Sequence, residues 1–577
     1  MTIVNSLPPA AILILGAVVL PALPRRIRSA AFLAFAALAF CWVLFLEPGT
    51  SITFPFLSYE LVPLQVDRLS LVFGYVFTIM AFLGGVYGFH IRDTAEQVCA
   101  LLYAGGSLGV VFAGDLFTLY FFWEVMAWSS LYLIWARRTT EARGAGVRYI
   151  LVHIFGGAVL LAGILLHIAE TGSILFNHME GGLAAYLILG GFWVNAAIPP
   201  LHFWLSDSYP EGTVTGSVYL SAFTTKTAVY VLLRGFAGWD ILIWAGVVMA
   251  MYGVFFAVLQ NDIRRILAYS IISQVGYMVC AVGIGTQMAI NGGSAHAFAH
   301  VLYKGLLFMG AGTVLYATGR SKLTELGGLA RAMPITLALY MIGAFSISGF
   351  PGFSGFVSKS IVIHATEISG MPIIALLLTW AAVGTFLYTG LKLPYFTWFG
   401  PKRGLKPKPI PWNMYVGMGL TAVLCIAIGV YPALLYNILP FPIDYQPYNA
   451  PHLMETAQLL IFTLMASWLL IKMLGGEPFI TLDTDWFLRR PFGLVYKVAV
   501  IYPSNLFAAI NTAATHLVHF ARQLSANPIG YLRAGAKAPS TEPQDYDPNR
   551  YRPIVGLAVL AILICFIVII VCSLLTS

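Results

Sequence analysis

The sequence contains few charged residues and lacks the motifs of most soluble enzymes. Charged side chains make up 10% of its 577 residues and hydrophobic ones 59%, whereas soluble globular domains have about 25% charged residues. Its six cysteines are scattered singly and form no CxxC pair, which argues against an iron–sulfur or zinc site held by this chain alone. It has no P-loop and no dinucleotide-binding glycine fingerprint. We therefore predict a polytopic membrane protein without a cofactor or metal of its own.

Long apolar stretches then indicate how often the chain crosses the membrane. Windows of about twenty apolar residues predict sixteen spans, at 8–24, 30–46, 67–89, 97–113, 115–136, 146–169, 183–207, 213–235, 239–260, 264–285, 290–317, 334–366, 372–398, 412–434, 455–474 and 553–575. Two of them are interrupted: GFWVNAAIPPLHFWL (191–205) has a double proline, and SISGFPGFSGFVSK (346–359) has four glycines and a proline. Broken helices are tolerated in membranes only against protein or water.

The basic residues predict an orientation. Before Lys472, seventeen Lys and Arg side chains fall on one side of the predicted spans, and the opposite side has only Arg68 and Arg234. Because positive residues mark the cytoplasmic side, the N-terminus is predicted outside, in a bacterial or archaeal cytoplasmic membrane. The net charge of +8 is explained by this sorting and does not indicate nucleic-acid binding.

The two interruptions fall in predicted helices 7 and 12, and Lys226 and Lys392 fall in helices 8 and 13. An offset of five helices inverts the second copy, as in the inverted repeats of transporters. We predict an all-α chain with repeats of helices 4–8 and 9–13. The predicted domain boundaries are 1–95 (helices 1–3), 96–260 (first repeat), 261–400 (second repeat), 401–474 (helices 14–15), 475–552 (a lateral segment and linker) and 553–577 (the last helix).

The lateral segment carries an amphipathic helix. Between Ser504 and Ser525, apolar side chains form one stripe: Leu506, Ile510, Ala513, Leu517, Phe520 and Leu524. This spacing is typical of a helix that lies along a membrane or partner surface.

Several ionisable residues lie inside predicted spans, where a charge costs roughly 2.5–3.5 kcal/mol on insertion scales. They are Glu124, Lys226, Lys304, Lys359 and Lys392. His296, His300 and Lys304 follow a four-residue spacing, which places them roughly on one helix face. Structural alternatives are a buried ion pair at Glu124, snorkelling of Lys392 and a zinc site at the two histidines. One carboxylate and several lysines across the membrane favour a proton relay.

Five motifs in order resemble the antiporter-like subunits of respiratory complex I and of Mrp-type Na⁺/H⁺ antiporters. They are GDLFTLYFFWEVM, AFTTKTAVYVLLRGF, QNDIRRILAYSIISQVGYM, HAFAHVLYKGLLFMGAG and GFPGFSGFVSK. The resemblance covers about residues 60 to 435 and is strongest to the D-type Mrp protein. It implies a fourteen-helix core and a relay from the glutamate at Glu124 to lysines at Lys226, Lys304 and Lys359, with His296, His300 and Lys392 in relay or access positions.

The chain departs from this pattern at two places. The family usually has a lysine before the helix 7 break, where this chain has Asn195, and an amide cannot carry a proton at neutral pH. Glu124 is then expected to work with Lys226, or else the first half-channel is altered or silent. The long C-terminal extension instead resembles the distal subunit of complex I.

Three functions remain open from the sequence. The first is a proton-translocating subunit of an Mrp-type cation (Na⁺)/H⁺ antiporter, partnered by other membrane subunits. The second is the same module in a redox-driven complex, such as a membrane-bound hydrogenase or a complex I relative. The third is an inactive scaffold subunit.

Overall fold

The computed structural model describes residues 7–471, 474–475, 483–484, 486, 493–494, 496–526, 559–566 and 568–569. The chain divides into two compact units, Met1–Trp486 and Phe487–Ser577. The helices of the first unit are α1 (Pro9–Val19), α2 (Arg28–Leu44), α3 (Arg68–Tyr87), α4 (Thr94–Phe112), α5 (Leu116–Trp135), α6 (Thr140–Thr171), α7 (Gly182–Asn195), α8 (Phe203–Ser208), α9 (Gly216–Ala222), α10 (Thr224–Gly235), α11 (Asp240–Leu259), α12 (Ile263–Ile284), α13 (Gln287–Thr318), α14 (Pro334–Ser348), α15 (Ser354–Ile368), α16 (Pro372–Thr385), α17 (Trp412–Val430), α18 (Ala433–Tyr436) and α19 (Ala450–Leu470).

Many of these helices have the length of a membrane span. Among the described residues, ten helices are long and apolar enough to cross a membrane, and four shorter ones are apolar over 10–17 residues. The chain is therefore a multi-pass membrane protein, as its composition predicted. The number of sixteen spans stays a prediction.

Aspartates set the start of several helices. The side chain of Asp115 precedes α5 and accepts a hydrogen bond from the Thr118 backbone N–H at 2.8 Å. Asp67 and Asp262 cap α3 and α12 in the same way. A carboxylate at this position satisfies free backbone donors and interacts favourably with the positive end of the helix dipole. These carboxylates thus stay at helix ends, unlike Glu124 within α5.

Helices α12 and α13 form the centre of the bundle. The membrane-length stretch of α12 is completely buried and that of α13 almost completely, and α13 packs against α3, α12, α14, α15 and α17. Polar side chains on these two helices must therefore find partners inside the protein.

Both predicted interruptions are present. Helix 7 is divided into α7 and α8, with a cis peptide bond between Pro199 and Pro200. Helix 12 is divided into α14 and α15 at residues 349–353. Two further irregularities were not predicted: helix 8 is split at Phe223 into α9 and α10, and α16 continues as π-helical turns over Phe386–Lys392 and Tyr395–Phe399.

An antiparallel β-hairpin was also missed. Strand β1 (Ser51–Phe56) pairs with β2 (Tyr59–Gln65). The backbone N–H of Val62 donates to Asp115 Oδ2 at 2.7 Å, which fastens the hairpin to the start of α5. A search for twenty-residue apolar windows does not detect such short strands.

The second unit contains α20 (Tyr502–Ala526), preceded by a π-helical turn over Lys497–Ile501. The amphipathic helix predicted at 504–525 is thereby confirmed. Residues 559–566 and 568–569 are helical. The rest of the predicted last span and most of the linker before it lie outside the described residues.

Candidate functional site

The Lys226 ammonium lies where helix 8 is interrupted. Its side chain is completely buried, and Nζ donates to the Ser221 carbonyl oxygen at 2.6 Å and to Thr225 Oγ1 at 3.1 Å. Ser221 belongs to the last turn of α9, which ends at Ala222. Carbonyls at a helix C-terminus lack an intrahelical donor, so the break at Phe223 supplies an acceptor for Lys226.

The Lys359 ammonium repeats this arrangement in helix 12. Its Nζ donates to the Ile347 carbonyl oxygen at 2.9 Å, at the C-terminal end of α14. The same Nζ lies 5.1 Å from the ring centroid of Tyr277, a cation–π distance. The close approach of the two half-helices requires Gly355, because a Cβ atom there would overlap the Ser346 carbonyl oxygen.

Lys392 lies in the first π-helical turn after α16 and is buried. Its Nζ donates to the carbonyl oxygens of Val258 at 2.5 Å and Gln260 at 2.9 Å, at the C-terminal end of α11. Three buried lysines thus share one device, since a helix C-terminus carries a partial negative charge that stabilises a cation. Half-helix ends coordinate cations in transporters in this way.

Lys304 and the two histidines lie along α13 and are completely buried. Lys304 Nζ donates to Ser270 Oγ on α12 at 2.7 Å. The ring centroids of His296 and His300 are 6.3 Å apart. Neither ring nitrogen of His300 has a hydrogen-bond partner among the described residues, while the charges of Lys226, Lys304 and Lys359 all act on it. The predicted common face of the α13 residues is confirmed.

A file of uncharged polar groups connects Lys304 to the neighbourhood of Lys359. From Lys304 it runs through Ser270 Oγ, Tyr388 OH (3.1 Å), Thr385 Oγ1 (3.4 Å), the Gln274 amide (3.2 Å), Tyr303 OH (3.4 Å), His296 Nε2 (3.5 Å) and, from His296 Nδ1, Ser358 Oγ (3.1 Å). Ser358 directly precedes Lys359. Every group in this file can accept a hydrogen bond, donate one, or exchange the two roles.

Glu124 lies apart from this file. It is half-buried on α5, and its carboxylate faces α6, because a Cβ atom on Gly157 would overlap Glu124 Oε1. The adjacent Gly156 packs against Val194, the residue before Asn195. Glu124 and the end of α7 therefore contact the same turn of α6.

The structure does not pair Glu124 with Lys226, as the sequence had suggested. Among the described residues, no ion pair joins the two. Lys226 instead uses the backbone of α9. Asn195 is buried, and its Oδ1 has no hydrogen-bond partner in the part of the chain that the structure describes.

A cavity of about 290 Å³ opens beside Lys359. Its wall contains ionisable and polar side chains, namely Lys359, Ser360, His364, Glu367, Thr379, Tyr445, Asn449, His452, Glu455, Thr456 and Thr463. Lys359 is itself only 4% exposed. The cavity therefore gives a polar approach to a lysine that is otherwise enclosed by the bundle.

The sequence identified the charged members of this site and missed the neutral ones. Ser270, Gln274, Tyr303 and Tyr388 carry no charge, and such residues are common in buried helices. The regular spacing of Ser270 and Gln274 on α12 was the signal that could have found them.

Residues 113–385 match the family described as NADH:quinone oxidoreductase/Mrp antiporter, transmembrane. An uncharacterized protein of Methanocaldococcus jannaschii is 33% identical over 378 residues, which are 61% of this chain and 78% of that protein. The chain belongs to this family. The matched region contains Glu124, Lys226, Lys304 and Lys359.

Two further members of the NADH:quinone oxidoreductase/Mrp antiporter family are informative. The A-type Na⁺/H⁺ antiporter protein of Alkalihalophilus pseudofirmus, one subunit of its antiporter, is 31% identical over 429 residues, or 65% of this chain and 53% of that protein. The chain therefore spans about half the length of this relative, which is of the A type, whereas the sequence motifs pointed to the D type. A chain of the archaeal membrane-bound sulfane sulfur reductase has a TM-score of 0.70 at 25% identity, over 98% of this chain and 99% of that chain.

Proposed function

We propose that this chain is a proton-translocating membrane subunit of an Mrp-type multisubunit Na⁺/H⁺ antiporter. The observation that carries the proposal is the hydrogen-bonded file between Lys304 and Lys359, with each end at a buried lysine. A purely structural core has no need of four buried lysines, because each buried charge is costly unless it is compensated. The 31% identity to one protein of a Na⁺/H⁺ antiporter supports protons and Na⁺ as the transported ions.

The proposed path has an entry half and an exit half. Glu124 and Lys226 load the proton in the first repeat, and His300 receives it at the centre, since its free ring nitrogens lie within the field of Lys226 and Lys304. The file through Ser270, Gln274 and His296 carries it toward Lys359, which releases it into the adjoining cavity.

The lysines act as switches because their ammonium groups rest on carbonyl oxygens. An ammonium bound to a helix C-terminus is stabilised electrostatically, whereas a neutral amine interacts less strongly with the same carbonyl. Loss of the proton therefore weakens the bond and frees the side chain to turn toward the next acceptor. Lys392, held by α11, is assigned a role in access from the end of that helix.

We assign the repeats to residues 96–260 and 261–400, within a core that begins with residues 1–95, and the remaining boundaries as predicted from the sequence. The partners are other membrane subunits, which residues 475–577 contact. The protein lies in a cytoplasmic membrane with its N-terminus outside.

This orientation can be tested by cysteine labelling. We expect single cysteines at residues 137–148 and 401–408 to react only with permeant reagents, because those basic loops face the cytoplasm. Cysteines at residues 436–454 should react with an impermeant maleimide added to intact cells. Labelling of 401–408 from outside would contradict the topology.

The function is tested in inside-out vesicles that contain the assembled complex. After a pH gradient is formed, addition of Na⁺ should collapse it, as followed by quenching of a pH-sensitive dye. Vesicles that carry an assembled Lys304→Met complex should not respond, because the file loses its first donor. Equal responses from both vesicles would refute the proposed function, and a silent wild type would favour the scaffold alternative.

A second candidate is the same module in a redox-driven complex. The end-to-end likeness to the sulfane sulfur reductase chain favours it, since it includes 99% of that chain. In that case, the intact complex would move protons when an electron donor and acceptor are added and would not respond to Na⁺. The proteins that copurify with the chain would also include iron–sulfur subunits.

A further inference from the structure

After α19, the chain returns to the bundle and inserts one carboxylate into it. The side chain of Asp483 is 5% exposed, and its Oδ1 lies 3.1 Å from His202 Nε2. The hydroxyls of Tyr252 and Tyr269 both donate to the same carboxylate. The next residue, Thr484, donates from Oγ1 to the Pro200 carbonyl oxygen at 3.3 Å. Two consecutive residues of the segment thus bind the interruption between α7 and α8.

The position of this contact relates it to the transport path. His202 directly precedes α8, and the break lies between it and Asn195. Tyr252 is seven residues before the end of α11 and Tyr269 six residues after the start of α12, so both lie about 10 Å inside those helix ends. The same ends adjoin the basic residues Arg264 and Arg265, which the charge distribution assigns to the cytoplasmic side.

Asp483 is held in its ionised form. Burial alone would raise the pKa of the Asp483 carboxyl, but the hydrogen bond and charge of His202 and the hydrogen bonds from Tyr252 and Tyr269 outweigh burial and hold that pKa well below its usual range. The facing groups are therefore His202 from the break, Tyr252 from α11 and Tyr269 from α12, with the charge of Arg265 acting on Tyr269. Among the described residues, His202 is the one cationic partner of Asp483.

The hydrogen bonds also fix the state of the imidazole. Because Asp483 can only accept, His202 Nε2 carries the hydrogen and Nδ1 is left as an acceptor. That Nδ1 is buried and has no hydrogen-bond partner among the described residues, as is also true of Asn195 Oδ1. A neutral side chain would suffice to strap the segment down, whereas a carboxylate that orients a histidine with a free acceptor is suited to receiving a proton.

We infer that His202 and Asp483 form a proton-accepting pair at the mouth of the α7–α8 break, and that the segment after α19 supplies its positioning carboxylate. The inference rests on the proposed function. A proton taken up at His202 Nδ1 forms the imidazolium, whose Nε2–H stays donated to Asp483, and its transfer inward restores the neutral ring. No bond other than those to the proton is made or broken. The pair stands where the chain lacks the lysine of its relatives, beside Asn195.

The test uses the full complex in inside-out vesicles, with rates normalised to assembled protein on blue-native gels. Asp483→Asn keeps the shape and can still accept from both tyrosines, but it removes the counter-charge of the imidazolium. We expect the rate of proton movement at about pH 8 to fall roughly tenfold and the pH profile to move about one unit lower. Asp483→Glu should retain the wild-type profile. His202→Gln should be slow at every pH, and Asp483→Asn should add nothing to it.

A second measurement reports docking without transport. Thr484→Cys should react slowly with maleimide in the otherwise wild-type chain and in Asp483→Asn, and rapidly in Asp483→Ala, which loses every bond to the carboxylate. The matched control is the exposed Asp444→Asn, expected to match wild type in both assays. An unchanged rate and pH profile in a docked Asp483→Asn would overturn the inference and leave a structural strap. The proposed function alone would survive that result if Lys304→Met were inactive, whereas a wild type that moves no protons would end both proposals.

Discussion

Lys226→Ala in the assembled complex is expected to reduce proton-coupled transport by at least two orders of magnitude, within the range for losing a proton-transfer group. The variant removes the ammonium that bonds the Ser221 carbonyl oxygen at the α9–α10 break, and no other buried amine occupies that end of the path among the described residues. Glu124→Gln should cause a similar loss, since the amide cannot accept the incoming proton. The measurement is collapse of a pH gradient in inside-out vesicles, with and without Na⁺.

The double variant makes this prediction specific to one pathway. If Glu124 and Lys226 serve successive steps, the double variant should be no slower than the slower single variant, which is a strongly non-additive result. Exposed residues give matched controls: Glu47→Gln and Lys406→Ala should transport at the wild-type rate. Full activity in assembled Glu124→Gln would show that this carboxylate is structural and that loading occurs elsewhere.

Lys359→Met should abolish release of the proton while leaving the complex assembled. Methionine fills a similar volume but cannot carry a proton, so the file from Lys304 would end at Ser358. The Ile347 carbonyl oxygen would also lose its donor, which should cost about 1–3 kcal/mol and lower the thermal stability modestly. Transport is measured as above, and stability by a fluorescence-detected melt in detergent.

The control for this variant is Lys406→Met, at an exposed lysine of the 401–408 loop. It should match wild type in both assays. If Lys359→Met retained more than about a tenth of the wild-type rate, a loss far below that expected for a group that relays protons, release would have to proceed through Lys392 or the cavity wall instead.

The sequence was informative where it broke a local rule. Pro199, Pro200 and the glycines of 346–359 interrupt apolar runs, and both interruptions are present in the fold. The charged residues were equally visible, because each stands alone among apolar neighbours. The break at Phe223 carries no proline or glycine, so nothing in its neighbourhood distinguished it from a continuous helix. The π-helical turns after α16 likewise have no local signature.

Partnerships were harder to predict than positions. The sequence suggested a carboxylate as the partner of Lys226, but the acceptor is a backbone carbonyl that only the unpredicted break exposes. The contact between His202 and Asp483 joins residues 281 positions apart, and no periodicity in a single chain reports such a pair. Tertiary packing decides these contacts, and one sequence constrains them weakly.

The lysines resting on helix ends have a consequence for how the protein tolerates its surroundings. A carboxylate partner can be neutralised by acid or lost by a single substitution, whereas a carbonyl dipole neither titrates nor belongs to any one side chain. Acidification therefore leaves the counter-charge of Lys226, Lys359 and Lys392 in place. Side-chain drift at Ser221, Ile347 or Val258 also leaves it unchanged, because the acceptor is the backbone. The resting places of the proton are thus inherited with the shape of the chain, and the residues that guard them are the ones that keep the helices broken.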